Sequence, residues 1–266
     1  MLTFRRLTYL FFALLLVLNL YSIFGCGGEA GFLCANMPWF YAFLVIAYFG
    51  ISVTFAFLLC SGFHFPVACH GSRESDLVAL TFDDGPDSDR TPRVLDILKK
   101  HGVPATFFLV GKNIAGNEAI LGRIEAEGHL IGTHSWSHSP WFDFYPPRRM
   151  KKELLRTADA VKTNTGKSPL IFRPPFGVMN PMLARALRDL PWTVAGWDTR
   201  SLDTVIKDPE KILKRITGML KPGSVILLHD HTDFSSDYLE RMILEVQRKG
   251  LRFSLLDKVL NIPGYE

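Results

Sequence analysis

Two kinds of hydrophobic pattern divide the chain near residue 63. Leu7–Phe24 is apolar apart from Thr8, Asn19, Ser22 and the tyrosines, and Met37–Phe63 carries no charge at all. Each is long enough for a helix to cross a hydrocarbon core of ~30 Å. The pattern therefore predicts two spanning helices, at about 7–24 and 38–60. Trp39 and Tyr41 open the second, where interfacial aromatics belong. Two other readings compete. Ile23-Phe24-Gly25-Cys26 is close to a lipoprotein signal, although Phe beside the Gly is unusual for one. Burial of both stretches in a soluble core is the third, but neither has a polar helical stripe.

From Asp76 onward, short β-rich runs alternate with amphipathic ones. Strands are expected at Leu77–Phe82, Pro104–Val110, Leu130–Thr133, Leu170–Phe172, Trp192–Trp197, Ser224–His229 and Leu251–Leu255. Helices are expected at Thr91–His101, Asn113–Glu127, Arg148–Thr165, Pro181–Leu190, Pro209–Leu220 and Ser236–Lys249, several of them closed by a Gly. Repeated strand–helix units imply a parallel sheet. Seven strands over residues 76–266 predict an α/β fold, a small distorted (β/α) barrel, with an open doubly wound sheet as the alternative. The expected layout is an anchor over 1–63, a tether over 64–75 and a soluble domain over 76–266.

Composition sharpens this division. The 266 residues are 48% hydrophobic and 21% charged, which excludes a disordered or collagen-like chain. A net charge of +4, from 30 basic against 26 acidic residues, is too balanced to argue for nucleic acid, and four Cys do not make a disulfide scaffold. Residues 1–63 hold only Arg5, Arg6 and Glu29. Arg5 and Arg6 precede the first span and Arg73 follows the second, so the positive-inside rule places both ends in the cytoplasm. Cys26 and Cys34 fall in the intervening loop, where a disulfide would suit an oxidising exterior.

Chemistry collects at the ends of the expected strands, where β/α barrels carry their sites. Thr81-Phe82-Asp83-Asp84-Gly85-Pro86 sets two carboxylates side by side. At a buried strand end a cation or a shared proton would relieve their repulsion, and a solvated turn accounts for them equally well. In His134-Ser135-Trp136-Ser137-His138 the two histidines stand four apart, a spacing that puts both on one face of a helical turn and suits chelation of one metal. Such a pair is also common by chance. With Asp84 they would make a two-His, one-carboxylate set with an open position for water. Arg173, held by Pro174-Pro175, could pair with a site carboxylate or belong to a plain surface turn. His229 ends the sixth strand, placed for proton transfer near neutral pH, unless it is a satisfied structural histidine.

Taken in order, these residues resemble the polysaccharide deacetylase family, also called the NodB-homology or carbohydrate esterase four family. The resemblance runs from about Leu77 to Leu256. Thr81–Pro86, His134–His138, Arg173-Pro174-Pro175-Phe176-Gly177 and Leu227-Leu228-His229 look like its first, second, third and fifth motifs. The fourth departs: where the family has Asp-x-x-Asp-Trp, this chain reads Arg200-Ser201-Leu202-Asp203-Thr204, keeping only the second Asp. The resemblance implies hydrolysis of the N-acetyl group of an amino sugar in a polysaccharide, oligosaccharide or lipid-linked glycan. It implies one divalent metal on Asp84, His134 and His138, zinc first, with cobalt, nickel or iron also suited to the ligands. Asp83 would be the general base and His229 the general acid, with Arg173 orienting Asp83 and Asp203 orienting His229. Phe176 would offer a backbone N–H to the oxyanion, Leu227 would line the acetyl pocket, and Trp197, Arg200 and Thr204 would wall the sugar site. Two other readings stay open: a metal-dependent carbohydrate esterase or deformylase acting on a lipid-linked sugar, and an inactive carbohydrate-binding relic. The expected partners are the glycan and the lipid bilayer, with no nucleic acid and no protein partner. The expected location is a membrane, as a multi-pass protein. The family's cell-wall substrates place the domain outside, against the positive-inside reading. Arg200 points to an anionic substrate, or else pairs with Asp198 or Asp203. The aromatics Trp136, Trp141, Phe142, Phe144 and Tyr145 suit sugar stacking, membrane contact or a plain hydrophobic loop.

Overall fold

The computed structural model describes residues 2–26, 31–230 and 236–266. Helices α1 (Phe4–Phe24) and α3 (Met37–Phe57) have 21 residues each, with the short α2 (Phe32–Ala35) before the second. Both long helices are mostly exposed, and both are long and apolar enough to cross a membrane. They pack side by side through the rings of Phe11 and Tyr48, 4.5 Å apart. Two polar pairs join them. The Thr8 and Tyr48 hydroxyls lie 3.1 Å apart, and Tyr41 donates to Asn19 Oδ1 at 3.2 Å. Such pairing is what hydrocarbon demands of polar side chains. Cys26 and Cys34 form a disulfide at the loop end of this hairpin, and Cys60 and Cys69 form another at the end that meets the domain.

The domain is built on one sheet: β1 (Val67–Ala68), β2 (Leu77–Asp83), β3 (Thr106–Leu109), β4 (Leu130–Thr133), β5 (Ile171–Phe172), β6 (Thr193–Ala195), β7 (Thr199–Arg200), β8 (Val225–His229) and β9 (Arg252–Ser254). The spatial order is β1-β6-β5-β4-β3-β2-β8-β7, with β9 also on β2. Every described strand pairing is parallel. Helices α4 (Arg90–His101), α5 (Glu118–Ala126), α6 (Pro147–Thr165), α7 (Pro181–Leu187), α8 (Pro209–Met219), α9 (Ser236–Arg248) and α10 (Leu256–Leu260) supply the crossovers and flank the sheet. This is the curled, distorted β/α barrel that the strand–helix alternation predicts, left open between β1 and β7 among the described pairings.

Two details refine the expected layout. Residues 64–75, expected as a tether, are joined to the domain. Val67 pairs with Val194, Cys69 is bonded to Cys60, and His70 bridges to Ser224. A two-residue strand carries too little pattern to be recognised locally, and it forms here because the β6 edge is waiting for it. The strand expected over Trp192–Trp197 stops at Ala195. A Cβ on Gly196 would lie 2.5 Å from Cys69 Sγ, so only glycine lets the disulfide sit this close where the chain leaves the sheet.

The alternation along β2 places the chemistry. Val78, Leu80 and Phe82 belong to the main apolar core with residues of α4 and α9. Period two then turns Ala79, Thr81 and Asp83 to the opposite, concave side. The same strand that anchors the helices therefore delivers an acid to the barrel interior.

Candidate active site

Adjacent residues in an extended strand point to opposite faces, so Asp83 and Asp84 should diverge. They do not, because Asp84 is left-handed, at φ 77°. The turn brings its carboxylate round to the same pocket, and Asn113 Nδ2 holds it there by donating to the Asp84 carbonyl at 2.9 Å. Left-handed backbone recurs at Ser135, His138, Phe176 and Leu202, all in loops at the sheet's C-terminal end. Such conformations persist only where the surroundings enforce them, and they cluster at functional sites.

The histidine loop differs from the helical turn that its spacing suggests. Residues 134–138 are irregular, since Ser135 and His138 have φ of 63° and 45°. Side chains fix the loop instead. His138 N–H donates to Ser135 Oγ at 3.1 Å, and Ser137 donates through both N–H and Oγ to Glu153. Arg156 lies 3.6 Å over the Trp136 ring. Both histidines nonetheless converge on Asp84. Its Oδ1 lies 3.1 Å from His138 Nε2 and 3.5 Å from His134 Nε2, and the three ligand atoms are all within 4.8 Å of one another.

These donors fit a divalent cation. His134 Nδ1 lies 2.8 Å from the Arg173 carbonyl, which can only accept, so Nδ1 carries the proton and Nε2 keeps its lone pair toward Asp84. Burial, with smaller opposing and reinforcing contributions from Asp84 and His138, pushes the His134 pKa down to about 3, so the ring is a neutral ligand at any ordinary pH.

Arg173 is completely buried beneath this set. Its Nη1 donates to Asp83 Oδ1 and to Thr81 Oγ1, each at 2.7 Å, and Nη2 donates to the Gly196 carbonyl at 2.9 Å. Its guanidinium lies 4.0 Å over the Phe108 ring. The second Asp83 oxygen, Oδ2, lies 3.9 Å from His134 Nε2. Burial raises the Asp83 pKa against the pull of Arg173 and His229. Across the pocket, Asp203 accepts from His229 twice, from Nδ1 at 2.7 Å and from the backbone N–H at 2.8 Å. Burial works to lower the His229 pKa, but Asp203, aided by Asp83 and Asp84, outweighs it and the group is raised.

One pocket of about 230 Å³ is lined by Asp83, Asp84, His134, His138, Phe176, Trp197, Arg200, Thr204, Leu227 and His229. Arg173 and Asp203 stand behind it as supports. Arg200 does not pair with Asp198, which is bonded to Arg73 at 2.8 Å, nor with Asp203; its guanidinium lies 5.8 Å from the Trp197 ring centre. The aromatic group divides: Phe142 is fully buried, whereas Trp141 and Phe144 are exposed. Two supporting residues leave no sequence signal. They are Glu153 and the buried Asp230, whose carboxylate accepts from Thr91 at 2.6 Å and is pushed up to about 7 by burial.

A sequence profile described as polysaccharide deacetylase matches residues 70–195. The chain is 30% identical over 194 residues to the peptidoglycan-N-acetylmuramic acid deacetylase PdaA of Bacillus subtilis (strain 168), covering 71% of this chain and 73% of that protein. The chain belongs to the polysaccharide deacetylase family. This deacetylase-family chain is also 33% identical over 182 residues to the peptidoglycan-N-acetylglucosamine deacetylase PgdA of Listeria monocytogenes, over 68% of its own length but only 38% of that relative's. The crystal structure of the Bc1960 peptidoglycan N-acetylglucosamine deacetylase superposes with a TM-score of 0.70 at 32% identity, covering 75% of this chain and 95% of that one.

Proposed function

We propose that the chain is a metal-dependent N-deacetylase acting on an N-acetylated amino sugar, held at a bilayer by the α1–α3 hairpin as a multi-pass membrane protein. The observation that carries this reading is one pocket holding three elements: a two-His, one-carboxylate ligand set, a buried acid–arginine pair and a carboxylate-held histidine. A divalent ion on Asp84, His134 and His138, zinc being the first choice for that donor set, would act as a Lewis acid on the acetyl carbonyl and the attacking water. Asp83 takes the proton from that water. Arg173 occupies its Oδ1, so Oδ2 is the basic atom, and the raised pKa improves it as a base near neutrality. His229 protonates the leaving amine, with Asp203 holding Nδ1–H and favouring the imidazolium. The backbone N–H of Phe176 steadies the oxyanion, Leu227 lines the acetyl methyl, and Trp197, Arg200 and Thr204 face the sugar. The named activities of the two curated relatives support an amide substrate over an ester or a formamide. The complete set of reacting groups weighs against an inactive relic.

A second observation favours a lipid-linked glycan. Phe176, Gly177, Trp197 and Arg200 line the pocket and also a neighbouring groove of about 470 Å³, whose other wall is residues 57–61 at the end of α3. A sugar joined through phosphate to a lipid would have its phosphate beside Arg200 and its chain beside Phe57 and Leu58. The peptidoglycan substrates named for the relatives favour an exterior location for the domain.

The test is metal content and acetate release from an N-acetylglucosamine pentamer. Chelation abolishes release. Asp84→Asn loses metal, whereas Asp83→Asn keeps it and still loses ~10²–10⁴ in rate. Equal metal loss in both variants, or acetate release that survives chelation, sinks the assignment.

A further inference from the structure

A larger groove, of about 1050 Å³, lies away from the pocket, where the start of α1 meets α7. Four arginines line it: Arg5 and Arg6 from the first turn of α1, and Arg185 and Arg188 from the α7 segment. No acidic residue does so among the described residues. The nearest in sequence, Asp189, faces Lys151 at 3.5 Å instead. Positive charge at a helix start has a ready explanation in membrane topology, but that explanation does not reach Arg185 and Arg188, which belong to the soluble domain.

Phe4, Phe63, Phe65 and Met182 make most of the rest of the groove apolar, with Thr3, Tyr9 and His64 as its other polar members. It opens where the exposed apolar surface of α1 begins, with Tyr9, Leu10 and Phe12 all exposed. A free anion would use only the arginines. A phospholipid would use both parts, its phosphate on the arginines and an acyl chain along α1. The flank of α7 carries a second exposed apolar feature. Asn180, which caps α7, donates to the Asp143 carbonyl at 2.8 Å and so holds the segment bearing Trp141 and Phe144. These rings are 68% and 79% exposed, and exposed aromatics of this kind suit the headgroup layer of a bilayer.

We propose that this groove binds the headgroup phosphate of an anionic phospholipid and so sets the tilt of the domain on the bilayer. The proposal rests on the reading of α1 and α3 as membrane-embedded, and it is independent of the activity.

The full-length protein, purified in a non-ionic detergent, is titrated with dioleoyl-phosphatidylglycerol or dioleoyl-phosphatidylcholine, and retained lipid is counted by native mass spectrometry. The parent retains phosphatidylglycerol in preference. Arg185→Gln with Arg188→Gln weakens that retention about 30-fold, taking the usual contribution of each basic residue near an anionic surface. Lysine at both positions restores most of it. Equal retention of the two lipids, or an unchanged double glutamine variant, overturns the proposal. Displacement of the lipid by millimolar inorganic phosphate overturns the lipid assignment in favour of a free-anion site. Carbonate extraction of membranes carrying the parent tests the hairpin separately. Release into the soluble fraction removes the membrane reading, while the lipid titration still decides the groove.

Discussion

Replacing Asp203 by Asn isolates what its charge does for His229. Asp203 is 5% exposed and accepts from His229 Nδ1 and from the His229 backbone N–H, at 2.7 and 2.8 Å. Burial by itself would depress the histidine, and Asp203 reverses that. A hydrogen bond to a charged group is worth ~1.5–3 kcal/mol, and one pK unit is ~1.4 kcal/mol. Asn keeps an acceptor without the charge, so the His229 pKa should fall, and the variant loses most of the stabilisation of the imidazolium. In the proposed role of acid, His229 would work only while protonated, so activity should be lost as pH rises through its pKa. The alkaline limb of kcat/KM should therefore move to lower pH, leaving the variant ~10–100-fold slower above that limb if the whole ~1.5–3 kcal/mol is lost. On the acid side, where His229 is protonated in both proteins, the two should converge. The assay is acetate release from an N-acetylglucosamine pentamer across the pH range, with metal content as the control. A loss of the same factor at every pH, with the alkaline limb unmoved, would refute the reasoning and leave Asp203 a structural residue.

Arg173→Met strands the buried Asp83 without its charge partner, which costs ~3–5 kcal/mol and should lower Tm by roughly 10 °C. A shift within about 2 °C by calorimetry would show that Asp83 does not depend on Arg173. The two disulfides sit at opposite ends of the hairpin, so in a spanning arrangement only one faces an oxidising compartment. With the domain outside, alkylation in intact cells followed by mass spectrometry should find Cys60 and Cys69 protected and Cys26 and Cys34 modified, and the reverse pattern puts the domain inside. Arg200→Ala should lower kcat/KM for a lipid-phosphate-linked N-acetyl sugar by about 10-fold, the worth of one charge-assisted contact, and spare the neutral pentamer. An unchanged ratio between the two substrates shows that Arg200 never meets the phosphate.

Much of this arrangement is legible in the amino-acid sequence. The two apolar spans, the strand–helix alternation and the run of chemistry at strand ends all depend on features a few residues apart. Residues Asp83, Asp84, His134, His138, Arg173 and His229 stand out because each follows a buried run, and in their order they resemble one family. The histidine loop shows the limit of that approach. Spacing of four suggests a helical turn, yet the loop is irregular and is shaped by Glu153, 16 residues further on, and by left-handed backbone at Ser135 and His138. Arg200 shows it again, since its freedom from Asp198 and Asp203 depends on Arg73 and His229 having taken them.

By itself the sequence determined the two long helices, the parallel α/β class and which residue types stand at each strand end, because hydrophobic period and propensity act locally. The tertiary structure alone decided that two adjacent acids share one pocket, through a backbone reversal at Asp84 enforced by Asn113, 29 residues away. It also decided that Arg173 grips Asp83 across 90 residues, and that Val67 and Cys69 lock the end of α3 against the sheet. Those contacts exist only after the sheet has curled, since each joins groups that no local pattern brings together.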